Sequence, residues 1–123
     1  VDNKYSIIFN MKTYTLTFRQ VDKQSFDDLK SGVKSVETRA NTVKYQKIEV
    51  GDTLTFVCEG DKFSKVVTKV YRWPDIDTMV KEISFKKIMP TIESVEEMRK
   101  AYYSYPDYEQ KIKEFGIIGF EFN

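Results

Sequence analysis

The chain has 123 residues, of which 41% are hydrophobic and 15% aromatic; this suits one folded domain and leaves too much apolar surface for a disordered chain. Lys and Arg total 20 against 19 Asp and Glu, so the net charge of +1 advertises no polyanion partner. With no histidine and Cys58 as the one cysteine, imidazole catalysis, His-ligated zinc, internal disulfides and multi-thiolate metal sites are excluded, and no metal or cofactor is expected.

Met11-Lys12-Thr13 reads as a natural start, so residues 1–10 are expected to be an extension and residues 11–123 the domain. Tyr14, Leu16 and Phe18 alternate with Thr15, Thr17 and Arg19, the period of a strand with one buried face. Lys23 to Ser31, with Phe26 and Leu29 three apart and Gly32 behind them, predicts a short helix with a glycine C-cap. Val33 to Ala40 returns to a mostly polar alternation, and Val43 to Ile48 reads as a turn closed by Gly51-Asp52. Leu54, Phe56 and Cys58 share one face of a strand, and Glu59-Gly60-Asp61-Lys62 signals a hairpin into a longer strand from Phe63 to Trp73. Pro74 ends that strand, and Ile76, Met79, Val80 and Ile83 give helical spacing over Asp75 to Ser84. Ser94-Val95-Glu96-Glu97 is a capping box opening a helix that Pro106 halts after Tyr105. A last helix through Tyr108, Ile112 and Phe115 stops at Gly116, and Ile117 to Phe122 reads as a closing strand. These five strands and about four helices, without a repeating strand–helix–strand unit, predict an α+β, largely antiparallel barrel with helices packed on it.

Three side-chain groups carry chemistry. Within Gly32-Val33-Lys34-Ser35-Val36-Glu37-Thr38-Arg39, an ideal strand projects Glu37 and Arg39 to one face and Val36 and Thr38 to the other. Lys34 falls on the Val36 side unless the turn at Gly32 swings its stem round. Lys, Glu and Arg together can grip a phosphate or carboxylate and orient a polar ligand, although spacing alone favours a solvated surface ion pair. In the second group, Lys65, Lys69, Tyr71 and Trp73 on one side of the long strand suit single-stranded nucleic acid. The plainer reading has the aromatics covering the core while the lysines snorkel outward. The third is Tyr102, Tyr103, Tyr105 and Tyr108: Met98, Tyr102 and Tyr105 read as a core stripe, and Tyr103, pointing elsewhere, has base stacking as its alternative to the favoured core packing. Cys58 shares the Leu54/Phe56 face and reads as a small buried apolar residue.

The run G-x-K-x-x-E-x-R at 32–39, Gly51-Asp52 opening Thr53-Leu54-Thr55-Phe56, and the closing Glu114-Phe115-Gly116-Ile117-Ile118-Gly119-Phe120-Glu121-Phe122 together resemble the ASCH domain family of the PUA-like superfamily. The resemblance spans about Tyr14 to Phe122. It implies a small PUA-like β-barrel of five or six strands, with a cleft lined by Lys34, Glu37 and Arg39 that binds RNA or a nucleotide-like ligand. One branch of the family deacylates N4-acetylcytidine with a Lys, a Thr three residues later and a downstream Glu. Lys34 matches the first, Glu37 stands where the Thr would be, and Glu93, Glu96 and Glu97 all lie near the third. Another branch is linked to RNA cleavage.

With the resemblance, a functional cleft is favoured over a plain surface. Arg39 and Lys34 are expected to contact phosphate or carbonyl oxygens, and Glu37 to orient Arg39 or accept from a base amine. Arg39→Ala is expected to weaken binding with little change in thermal midpoint. The alternatives are an amidohydrolase or RNase in which Lys34 is catalytic, and a protein-interaction module with a protein partner. No apolar run approaches the about 20 residues of a membrane span, so neither a membrane partner nor a signal peptide is expected. A single unpaired thiol fits a cytoplasmic setting.

Overall fold

The computed structural model describes residues 11–122, so the extension assigned to residues 1–10 lies outside the described residues. Strand β1 (Thr13–Thr17) leads through a 3-10 turn at Gln20–Asp22 into helix α1 (Lys23–Ser31). Strand β2 (Val36–Ala40) and a single helical turn, α2 (Val43–Gln46), precede the hairpin of β3 (Thr53–Cys58) and β4 (Asp61–Trp73). Helix α3 (Ile76–Glu82), a 3-10 turn at Phe85–Lys87, helix α4 (Val95–Tyr103), helix α5 (Tyr108–Phe115) and β5 (Ile117–Phe122) complete the order.

Local chemistry sets the helix ends. Gly32 caps α1 at φ 91°, with its N–H donating to Asp28 O at 3.1 Å; a side chain is disfavoured in this left-handed conformation. Asp75 caps α3 by accepting from Thr78 N at 2.7 Å. Ser94 Oγ accepts from Glu97 N at 3.1 Å, as a capping box requires. Its reciprocal half is displaced by one residue, because the Glu97 carboxylate accepts from Glu93 N rather than from Ser94 N. Helix α4 ends at Tyr103, short of the expected Tyr105.

The sheet order is β1-β3-β4-β5-β2. β1 runs parallel to β3, whereas the other three pairs are antiparallel. This corrects the expected closed barrel: the five-stranded sheet is mixed and open, and no ladder joins β1 to β2 among the described residues.

Each face of the sheet carries a core. Phe26 and Leu29 of α1 pack with Leu16, Phe56, Phe120 and Phe122 on one side. Met79, Met98, Tyr102 and Ile112 of the later helices pack with Trp73 and Ile117 on the other. Between Val67 and Lys69 the register of β4 against β5 slips by one residue. This bulge reverses the alternation, so Phe63 and Val67 serve the first core while Tyr71 and Trp73 serve the second.

Candidate functional site

A cavity of about 300 Å3 lies beside β2, lined by residues that include Thr17, Phe18, Asp22, Lys34, Glu37, Thr38, Arg39, Tyr45, Tyr102, Tyr105 and Tyr108. Its size falls at the lower end of the about 300–1,000 Å3 usual for small-ligand pockets. Glu37 and Arg39 pair with Phe120 and Ile118, and Thr38 pairs with Gly119. The two faces of β2 therefore both contribute, and the cavity wraps around that strand's outer edge.

Lys34 reaches the site because residues 33–35 are not strand. The turn at Gly32 ends α1, Ser35 N donates to Lys87 O at 3.0 Å, and the Lys34 stem swings inward. Its ammonium lies 3.1 Å from Glu37 Oε1 and donates to Ile88 O at 2.5 Å. Arg39 closes the other side, donating to Glu37 Oε2 through Nε at 3.1 Å and Nη2 at 3.0 Å. Lys34 and Glu37 are buried, at 3% and 4% exposed, and the Arg39 side chain is half-buried. A solvated surface ion pair is therefore the wrong description.

Burial alone would raise the Glu37 carboxyl, but the Lys34 ammonium and the Arg39 guanidinium outweigh it and hold it below its ordinary value. Burial likewise opposes the Arg39 charge, and the Glu37 carboxylate more than restores it. The phenols behave oppositely. Burial raises Tyr102 and Tyr108, and it pushes Tyr105 up to about 12 with the Asp22 carboxylate adding to the shift. All three stay neutral near pH 7 and serve as hydrogen-bonding groups rather than bases.

The hydrogen bonds of the trio are nearly complete. Glu37 accepts from Thr38 N at 3.2 Å and twice from Arg39, and the Lys34 ammonium as its ion-pair partner covers the remaining side of Oε1. Arg39 also reaches Tyr45 OH at 3.3 Å and Thr17 O at 3.4 Å through both terminal nitrogens, so its five donors are all engaged. The Thr17 contact ties β2 to β1 across the opening of the sheet. Around the rim, the Arg19 guanidinium lies 4.3 Å from the Tyr105 ring centroid, and Tyr105 OH donates to Asp22 at 3.3 Å.

The structure thus brings Lys34, Glu37 and Arg39 together. It does not bring Glu93, Glu96 or Glu97 to the cavity; the side chains of Glu93 and Glu96 are 82% and 74% exposed, and Glu97 caps α4. The second group is divided, a correction to the shared side expected of it. Lys65 pairs with Leu54 on the first-core face, whereas the bulge turns Tyr71 and Trp73 to the other. Trp73 is buried, donates to Glu82 at 2.6 Å and stacks on Tyr71 with 4.9 Å between ring centroids. Lys69 covers the Tyr71 ring at 4.6 Å. Cys58 is buried in the first core.

Sequence reasoning missed the tyrosines as site residues. Tyr102 is buried as expected, yet its hydroxyl bonds Thr38 Oγ1 at the cavity wall. Tyr105 and Tyr108 arrive through the bend at Pro106 and Asp107, the latter in left-handed backbone at φ 60°. The signal was present: four tyrosines crowd residues 102–108 around a proline, where a helix period no longer governs which way they point.

No family model and no curated protein matches the chain. Solved structures do. The crystal structure of hypothetical protein PH0355 superposes with a TM-score of 0.77 at 25% identity, covering 90% of this chain and 96% of that one. The solution NMR structure of protein PF0455 from Pyrococcus furiosus gives 0.71 at 23% identity, covering 89% and 94%. The fold is therefore that of a small α+β domain shared along almost the full length of those proteins.

Proposed function

We propose that this is an ASCH-type domain whose cleft binds RNA or a nucleotide-like ligand, with Lys34, Glu37 and Arg39 as its polar floor. One observation carries the reading: two nearly buried cations share a single carboxylate beneath a cavity walled by aromatic rings. Burying an unbalanced charge costs several kcal/mol, and a bound anion would offset that cost. Phe18, Tyr45, Tyr105 and Tyr108 supply flat surfaces for a base.

Amide hydrolysis has less support. Lys34 is engaged with Glu37 and Ile88 O, and a lysine surrendering its proton would forfeit the ion pair. RNA cleavage with a tyrosine base is likewise disfavoured by phenols raised above their ordinary range.

The test is an amide-shift titration of labelled protein against nucleosides, nucleotides and a short single-stranded RNA. Shifts gathered around residues 32–39 and 102–108 are expected. Unmoved spectra at millimolar ligand would end the nucleotide reading and turn attention to protein partners.

A further inference from the structure

The donors and acceptors around the cavity narrow what can enter it. The Glu37 carboxylate accepts three hydrogen bonds and faces the Lys34 ammonium with its remaining side, and all five Arg39 N–H groups have partners. Neither has capacity left for a ligand. Lys34 donates to Ile88 O and is ion-paired with Glu37, which leaves at least one of its three N–H groups for a ligand. Tyr45 OH accepts from Arg39 and Tyr108 OH accepts from Ala40 N at 3.3 Å, and among the described residues neither hydroxyl hydrogen has an acceptor. At the mouth, Lys111 lies 5.9 Å from the Tyr108 ring centroid and pairs with no carboxylate among the described residues. The lining carries four cations, Arg19, Lys34, Arg39 and Lys111, against the two carboxylates of Asp22 and Glu37. Both carboxylates are engaged, Asp22 by Arg19 and Tyr105.

We infer that the cleft holds the oxyanion of its ligand, a phosphate or carboxylate, on the remaining donors of Lys34, Tyr45, Tyr108 and Lys111. Arg39 and Glu37 are then positioning residues that aim Lys34 and Tyr45 without touching the ligand. This rests on the cavity being a ligand cleft. It departs from the expectation that Arg39 contacts phosphate and Glu37 a base amine.

The full chain is titrated by amide shifts with uridine, uridine 5′-monophosphate, inorganic phosphate and acetate, for the wild type and for Lys111→Gln and Tyr45→Phe. The monophosphate is expected to bind ~10-fold tighter than uridine, the worth of one or two charge-assisted hydrogen bonds. Each substitution is expected to remove ~3–10-fold of that advantage, read as the ratio of monophosphate to uridine affinity within the same variant, while leaving the thermal midpoint near wild type. Lys34→Gln should abolish the advantage, but it alters a buried ion pair, so the two milder variants decide.

Equal binding of uridine and its monophosphate would overturn the oxyanion subsite and leave the nucleotide cleft standing. A monophosphate advantage unmoved by both milder variants would also overturn it. Phosphate or acetate shifting the cleft amides while both uridine compounds leave them unmoved would support the subsite and remove the nucleotide reading, and the stronger of the two anions would name the group. Silence from every probe at millimolar concentration would overturn both.

Discussion

Glu37 is 4% exposed and held between the Lys34 and Arg39 cations, so its proton equilibrium is coupled to folding. Its folded value lies below the ordinary one despite burial, because Lys34 and Arg39 favour the carboxylate. A depressed carboxyl contributes stability that is present above its unfolded value and lost as pH falls through the folded value. Replacing Glu37 by Gln should therefore lower stability by ~3 kcal/mol at neutral pH, since it leaves two buried cations without their counter-charge. The gap between variant and wild type, read from urea midpoints, should narrow below about pH 4 as the wild-type carboxyl protonates. A constant gap across that range would show that ionisation contributes nothing. Arg39→Ala should also cost ~3 kcal/mol, because the side chain is 15% exposed and completes the carboxylate's partners. The sequence-based expectation of an unchanged midpoint took Arg39 as a ligand contact in a cleft and left out its pairing with a buried carboxylate, because burial is a tertiary property that a polar alternation conceals.

Among the elements, those with a strong period and a chemical stop were legible. Helix α1 ends at its glycine, the β3–β4 hairpin turns at Glu59-Gly60, and β5 spans the expected Ile117 to Phe122. The bulge was not legible, because Phe63, Val67, Tyr71 and Trp73 keep an unbroken odd-numbered alternation. Only the pairing with β5 shows Thr68 to be the extra residue. The flip seats the Trp73 ring over Gly119, where an added Cβ would come within 2.8 Å of the indole. Gly119→Ala should thus cost ~2 kcal/mol through overpacking, visible as a lower thermal midpoint with an altered near-ultraviolet signal from Trp73. A midpoint equal to wild type would mean that the indole shifts aside freely.

Across the whole molecule, the chain order of elements was readable and their spatial neighbours were not. The parallel pairing of β1 with β3 joins strands about forty residues apart, and no local pattern encodes a pairing at that distance. For the same reason the trio is legible, being contained in one octapeptide, while its meeting with Tyr102, Tyr105 and Tyr108 from a distant bend is not. The side-chain tie from Arg39 to Thr17 stands where a barrel would place a ladder. Arg39→Lys, lacking the fork, should speed hydrogen exchange at the amides of β1 and β2 while sparing β3 and β4; uniform exchange would show that the tie holds nothing local. Asn41 N donates to Gly116 O, so the odd-numbered amides of β2 face β5 and those of Thr38 and Ala40 face outward. These outward groups are occupied by the Glu37 carboxylate and the Tyr108 hydroxyl. The same side chains that furnish the cleft therefore blunt an exposed strand edge, the usual template for edge-to-edge association. Tyr108→Phe, which uncovers the Ala40 amide, should make the protein self-associate at concentrations where the wild type sediments as a monomer.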